Sequence, residues 1–123
     1  ALNCADFVTI HVTGGESVRN MIAKPELKCM KKTAVLINTT RGFIINETDL
    51  IWALEQGIIA GAALDVFSEE PIQKDNPLLT QPQVIVSPHN AASTPEARQR
   101  AQEACAENIF MALEGQRPSF ALN

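Results

Sequence analysis

The sequence predicts a single α/β domain with a parallel sheet, and three observations lead to that prediction. Four short apolar runs alternate along the chain with stretches that have the ends and the periodicity of helices. The second of these runs is continuous rather than alternating in apolar character, and continuous apolar strands are typical of a helix-covered parallel sheet that is buried on both faces. The 123 residues suffice for one modest domain, and 46% of them are hydrophobic.

The four apolar runs are the predicted strands. β-Branched residues dominate the run at 7–12, and a continuous apolar run covers 34–38. The third run, at 58–64, is rich in Ile, Ala and Gly, and the fourth is 84–86. A polar stretch with three prolines, 71–83, is the predicted long loop between the last two strands.

Two helices are predicted between the first three strands. A short helix is expected over 25–30. The second begins after Asn46, a good N-cap whose following turn carries Glu47 and Asp49 near the positive end of the helix dipole. Gly57 is placed to end this helix.

A long helix is predicted at the end of the chain. Thr94 is its expected N-cap, Pro95 suits its first position, and Glu96 is expected to pair with Arg100 one turn later. Small and apolar residues then fall on one stripe, which we expect to pack, until Gly115 ends the helix.

Composition excludes several classes of function. Ten basic and 14 acidic residues give a formal net charge of −4, which argues against nucleic acid or an anionic membrane surface as the main partner. No apolar run approaches the roughly 18 residues that a membrane span needs. Cys4, Cys29 and Cys105 are odd in number and widely separated, so we expect neither a disulfide framework nor a metal site. A reducing, cytoplasmic location is the expectation.

The candidate catalytic residues lie where the predicted strands end, which is where open α/β sheets bind ligands. Arg41 follows the second strand, Glu70 lies in the segment after the third, and His89 follows the fourth. A guanidinium can bind a carboxylate through two parallel hydrogen bonds. A carboxylate beside an imidazole stabilises the protonated ring, which can then donate a proton near neutral pH.

Three stretches resemble the NAD(P)-dependent D-2-hydroxyacid dehydrogenases, a family that includes D-3-phosphoglycerate dehydrogenase and glyoxylate/hydroxypyruvate reductase. They are Ala34 to Gly42, Gly61 to Pro71, and Ser87 to Thr94. The resemblance implies the second half of a Rossmann-type, doubly wound parallel sheet with flanking helices. It also implies that residues 1–123 are the C-terminal part of the NAD(P)-binding domain, without its Gly-rich first half and without the substrate domain.

The same resemblance implies a mechanism. Arg41 would hold the carboxylate of a 2-oxo acid, His89 would protonate its carbonyl oxygen as hydride arrives, and Glu70 would be the partner of His89. The implied cofactor is NAD or NADP, and the implied substrates are a 2-oxo acid and its 2-hydroxy acid. The residues expected at the cofactor are Val12, Thr13, Thr39, Thr40, Arg41, Asp65, His89, Asn90, Ala91 and Ala92.

The chain departs from the family pattern in one respect that affects its partners. It contains no G-x-G-x-x-G to hold a pyrophosphate. The first strand also corresponds to one whose usual neighbour lies upstream, so its edge needs a partner. We therefore expect a homodimer or a complementing N-terminal fragment, and weak or no activity of the chain by itself. A non-catalytic, NAD-sensing binding or assembly module of the same fold is the alternative, because corepressors in the family retain the three catalytic residues.

Overall fold

The computed structural model describes residues 1–121, which divide into two compact units. The first unit is Ala1–Asn90, and the second begins at Ala91. In chain order the strands and α-helices are β1 (Phe7–Ile10), α1 (Lys24–Lys28), β2 (Val35–Asn38), α2 (Glu47–Glu55), β3 (Gly61–Leu64), β4 (Val84–Val86) and α3 (Pro95–Leu113). Short 3-10 helices lie at Glu16–Val18, Gly42–Ile44 and Pro77–Leu79.

The four strands form one parallel sheet in the order β1-β2-β3-β4, which confirms the predicted fold class. Their last residues are in register, since Ile10 pairs with Asn38, Asn38 with Leu64, and Leu64 with Val86. The segments that follow the strands therefore all start at the same edge of the sheet. We call this edge the carboxyl edge.

Three strands are shorter than the predicted apolar runs, and β2 is shorter by a single residue, because it begins at Val35 rather than Ala34. β1 ends at Ile10 rather than Val12, because its pairing partner β2 ends opposite Ile10. β3 begins at Gly61 rather than Ile58. The Ile58 N–H donates to the Ala53 carbonyl at 2.8 Å, so the start of the run closes the end of α2 instead of joining the sheet.

In the first unit the sheet buries one face against the helices. Leu36 of β2, Leu27 of α1 and Leu50 of α2 are fully buried in this core. The other face carries Phe7 and Ile85, whose exposed fractions are 70% and 74%. We expected both faces of the sheet to be buried. Within this unit only the face that packs against the helices is buried.

The ends of α2 match the prediction. The Asn46 side chain accepts a hydrogen bond from the Asp49 N–H at 3.1 Å, as an N-cap does. Gly57 follows the helix with a φ of +60°, a conformation that glycine adopts without strain. The first helix, α1, is shorter than its predicted span.

The connection 71–83 is more ordered than its polar, proline-containing sequence predicts. It contains the 3-10 helix Pro77–Leu79, and Leu78 is fully buried in the core. Asn76 caps this helix, since its side-chain oxygen accepts from the Leu78 N–H at 2.9 Å. One buried leucine thus ties the long connection to the first unit.

The second unit contains α3, whose ends also match the prediction. Thr94 Oγ1 accepts from the Ala97 N–H at 3.1 Å, and Gly115, with a φ of +72°, follows the helix. The predicted side-chain pair between Glu96 and Arg100 is wrong, because Arg100 Nε donates to the Glu96 carbonyl instead. No residue of α3 is buried within the second unit, and the packing of its stripe stays a prediction. Within residues 1–121, no helix is long and apolar enough to cross a membrane.

Candidate active site

The carboxyl edge gathers residues from four segments. Asp65 directly follows β3, and His89 lies three residues after β4. Arg41 lies three residues after β2, and the segment that contains Gly14 follows β1. A Cβ placed on Gly14 would lie 3.2 Å from Arg41 Cγ, so these last two segments are in contact.

Asp65 organises the segment that carries His89. Its side chain is buried, and Oδ1 accepts hydrogen bonds from Ser87 Oγ and, at 2.9 Å, from the Asn90 N–H. The Asp65 carbonyl accepts from the His89 N–H, also at 2.9 Å. Contacts on both sides of His89 therefore fix its backbone against the end of β3.

His89 adopts a backbone conformation that few residues with a side chain adopt. Its φ is +50°, in the left-handed region. This conformation costs an isolated residue free energy, and the hydrogen bonds that the His89 and Asn90 N–H groups donate to Asp65 hold it in place. The constrained backbone of His89 indicates that its imidazole has to lie at a particular position.

The imidazole pairs with Glu70. His89 Nδ1 lies 2.7 Å from Glu70 Oε2, and Glu70 Oε1 accepts from the Phe67 N–H at 3.0 Å. The hydrogen bond from His89 lowers the pKa of the Glu70 carboxyl below its usual value of 4.5, the Phe67 N–H lowers it further, and the negative charge of Asp65 opposes both. Glu70 is therefore ionised near neutral pH and accepts a hydrogen bond from the Nδ1–H group of His89. Nε2 remains as the ring nitrogen that can exchange a proton with a ligand.

Asn38, which was not among the residues predicted for the site, shapes the segment that carries Arg41. Its side chain is fully buried at the end of β2. Its Nδ2 donates to the Arg41 carbonyl at 2.9 Å, and its Oδ1 accepts from the Thr40 N–H and Oγ1 at 3.1 and 3.0 Å. Asn38 is a polar residue at the end of an otherwise apolar run, and this pattern could have indicated its role, because a buried polar side chain needs hydrogen-bond partners.

Arg41 itself is exposed. Its Nη1 donates to the Thr40 carbonyl at 2.7 Å, a local contact in an exposed position. A ligand carboxylate can compete for this guanidinium, which presents five N–H donors in a planar fork. Arg41 can therefore serve as an anion-binding group at the carboxyl edge.

Gly42 brings the Arg41 segment against the loop that carries Glu70. A Cβ at Gly42 would lie 1.9 Å from the Phe67 carbonyl carbon and 2.4 Å from the Ser68 nitrogen. The two backbones can approach this closely only because residue 42 has no side chain. The structure thus connects the Arg41 and Glu70 segments through a direct backbone contact.

The other predicted cofactor residues are less constrained. Val12, Thr13 and Thr39 are exposed, and the backbone at Val12 and Thr13 has no regular structure. Ala91 and Ala92 are exposed residues of the second unit, in the segment before α3.

A cavity of about 310 Å³ adjoins the Glu70–His89 pair, and the sequence analysis did not predict it. Its wall includes Asp65 and Ser87. The apolar part of its lining comes from Phe67, Pro71, Ile72, Leu79, Val86 and Pro88. These residues belong to separate segments, so no local sequence pattern marks them as neighbours.

Known proteins resemble the chain throughout its length. The sequence model of the family described as D-isomer specific 2-hydroxyacid dehydrogenase, NAD binding domain, matches residues 1–91. A glyoxylate reductase from Korarchaeum cryptofilum is 43% identical over 119 residues, which are 97% of this chain and 36% of the relative. A D-3-phosphoglycerate dehydrogenase from Methanocaldococcus jannaschii is 45% identical over 119 residues, which are 97% of this chain and 22% of the relative.

The fold agrees with a solved structure of the same kind. The D-isomer specific 2-hydroxyacid dehydrogenase from Lactobacillus delbrueckii ssp. bulgaricus, in its NAD-complexed form, superposes with a TM-score of 0.89 at 32% identity. The match covers 99% of this chain and 41% of that chain. The chain therefore spans between about a fifth and two fifths of the length of these three proteins.

Proposed function

The chain belongs to the D-isomer specific 2-hydroxyacid dehydrogenase family, and from this premise we propose that it is the C-terminal part of an NAD(P)-binding domain in an oxidoreductase. The proposed reaction interconverts a D-2-hydroxy acid and its 2-oxo acid. One observation carries the proposal most directly. The ionised Glu70 carboxylate lies 2.7 Å from His89 Nδ1, which leaves Nε2 for proton transfer.

Each catalytic side chain has one role in this proposal. Arg41 binds the substrate carboxylate and so orients the adjacent carbonyl group. His89 donates the Nε2 proton to the carbonyl oxygen during reduction and accepts it back during oxidation. Glu70 holds the ring orientation and stabilises the imidazolium. NAD(P)H, when bound, supplies the hydride for the carbonyl carbon.

The residues present fit the nicotinamide end of such a cofactor. Asp65, Thr39 and Thr40 place polar groups along the carboxyl edge, where open α/β sheets bind dinucleotides. With Arg41 and His89 they form the centre of the proposed cofactor surface. Its margins within the first unit are Val12, Thr13 and Asn90. The 123 residues contain no G-x-G-x-x-G, so other residues would have to bind the pyrophosphate.

A substrate scan tests the proposed reaction. NADH and NADPH oxidation would be followed with glyoxylate, hydroxypyruvate and other 2-oxo acids, using a chain of family length that includes residues 1–123. We expect turnover with at least one acid.

Arg41→Lys keeps the charge but loses the planar fork, so KM should rise by about tenfold or more, because a bidentate contact is lost. Arg98→Lys, in the second unit, is the matched control and should leave KM unchanged. Cofactor binding without turnover of any acid would favour the NAD-sensing module instead.

We also propose that the edge of β1 pairs with another strand, from a second copy or from a complementing upstream fragment. Among residues 1–121, β1 pairs only with β2, and its Phe7 side chain is 70% exposed. An apolar strand edge is a ready template for pairing. Size-exclusion chromatography with light scattering should show at least a dimer of the 123-residue chain. Phe7→Lys should shift it toward monomer, whereas Ile85→Lys, at a comparably exposed position, should not. A wild-type monomer would contradict the proposal.

The three cysteines carry the proposal for the cellular location. Cys4, Cys29 and Cys105 are free and exposed. Exposed thiols suit a reducing compartment, so we propose a cytoplasmic location.

A further inference from the structure

Glu47, the first residue of α2, binds two points of a single loop. Its Oε1 accepts a hydrogen bond from the Ser68 N–H at 2.5 Å, and its Oε2 accepts from Asn76 Nδ2 at 3.2 Å. Glu70 lies between those two points. One carboxylate therefore fastens both ends of the segment 68–76, which we call the Glu70 loop.

Glu47 and its partner Asn76 are both anchored to the core. Glu47 directly follows the N-cap of α2, a helix whose Leu50 and Leu54 are buried in the core. Asn76 caps the 3-10 helix that places Leu78 in the same core. The Glu70 loop is thus held between two parts of the molecule that cannot shift without disturbing buried side chains.

The Glu70 loop needs such a support because most of it is exposed. Ser68, Glu69 and Glu70 are all exposed, and the carboxylate must still meet the His89 ring at 2.7 Å. Close backbone contact with Gly42 fixes the residue before the loop, and the Glu47 carboxylate fixes the loop itself. Arg41 and Glu47 lie on either side of the same short 3-10 helix, so one rigid stretch of chain serves both catalytic segments.

We propose that Glu47 is a positioning residue, which sets the geometry of the Glu70–His89 pair by holding the Glu70 loop at both ends. Its importance for catalysis rests on the proposed function, but its effect on the pair is independent of turnover. Glu47 itself touches neither His89 nor a substrate in this role. It acts through Glu70.

The test is nuclear magnetic resonance of the 123-residue chain with Glu47→Asp. This change keeps the charge and the helix position but shortens the side chain by one methylene, so it cannot reach both Ser68 and Asn76. The pKa of Glu70 should rise toward 4.5, because the contacts from His89 and Phe67 that lower it are loosened. The Nδ1 proton signal of His89 should weaken, while the ring of His11 reports no change.

Glu69→Asp is the matched control. It makes the same chemical change within the Glu70 loop itself, where the Glu69 carboxylate accepts from the nearby Gln73 side chain. It should leave the signals of Glu70 and His89 as in wild type. The proposal is overturned if Glu47→Asp leaves both signals unchanged, or if Glu69→Asp changes them equally.

A second variant decides the question if Glu47→Asp does not fold. Asn76→Asp keeps an oxygen to cap the Leu78 N–H but cannot donate to Glu47. The His89 Nδ1 proton signal should weaken in this variant too, and an unchanged signal would count against the proposal. Failure of the proposed function is seen separately, as absent turnover in the substrate scan with these ring signals intact.

Discussion

Two histidines follow strands at the carboxyl edge, and their surroundings differ sharply. His89, after β4, has its ring paired with the Glu70 carboxylate and its backbone bound to Asp65. His11 directly follows β1, and its Nε2 contacts the Thr9 hydroxyl, two residues away, at 2.9 Å in an exposed position. The first ring is held by partners distant in sequence, and the second by a neighbour on its own strand.

The glycines of the two regions differ in the same way. Gly42 lies against the backbone of the Glu70 loop, whereas a Cβ at Gly15, beyond His11, would meet nothing within 4 Å. A site that must hold a proton donor in place requires constraints from several segments. The segments after β2, β3 and β4 provide such constraints around His89, whereas the segment after β1 approaches Arg41 at Gly14 but is open at Gly15.

The largest expected effect is on catalysis. His89→Gln should lower kcat/KM by about a hundredfold to ten-thousandfold in the family-length enzyme, because general acid–base catalysis is lost. His11→Gln should leave the rate near wild type. NADH oxidation with the best 2-oxo acid measures both. Equal losses in the two variants would remove the distinction between the two histidines.

The next effect is on stability. Gly42→Ala should destabilise the chain by about 3 kcal/mol, because its Cβ would overlap the Phe67 backbone and force the two segments apart. Gly15→Ala should change stability by no more than about 0.5 kcal/mol, since its φ of 167° is extended and the space is open. Urea unfolding compares the two. A tolerated alanine at position 42 would show that the close approach is not required.

The smallest effect is on the pH dependence of stability. The pKa of Glu70 is lower in the fold than in the unfolded chain, so its pairing stabilises the fold above pH 4.5 and that stability is lost as the pH falls through the folded pKa. Glu70→Gln should remove this contribution, which is at most about 1 kcal/mol for a half-exposed pair.

The matched control for this titration is Glu69→Gln. Arg19 also lowers the pKa of Glu16, so Glu16 contributes to the pH dependence of stability in the same direction. Because both variants keep Glu16, its contribution cancels when their curves are compared. Urea midpoints between pH 3 and 7 measure the difference. The pairing would contribute nothing if Glu70→Gln and Glu69→Gln gave the same curve.

Much of the fold was predictable because its signals are local. The helix caps at Asn46 and Thr94 act within one turn, and the parallel sheet follows from apolar runs that alternate with helices. Strand ends were less predictable. β1 stops where its partner stops, and β3 starts late because Ile58 closes α2, which depends on pairing rather than on apolar character.

Of the candidate site, the sequence by itself determined the types of chemical group. Arg41, Glu70 and His89 could be chosen because each follows a predicted strand and each lies in a stretch that resembles a dehydrogenase motif. Parallel strands share one carboxyl edge, so their following segments were expected to meet. The pairing of Glu70 with His89 agrees with that expectation.

Only the tertiary structure decided how these groups are held. Gly42 and Glu47 each act on a distant segment through a contact that spacing along the chain does not encode, such as the backbone approach of Gly42 to Phe67. The left-handed backbone of His89 likewise depends on Asp65, a residue of another strand's end. A local pattern records which groups are available. Their distances and orientations arise only when segments far apart in the chain pack together, because those contacts exist in the folded state alone.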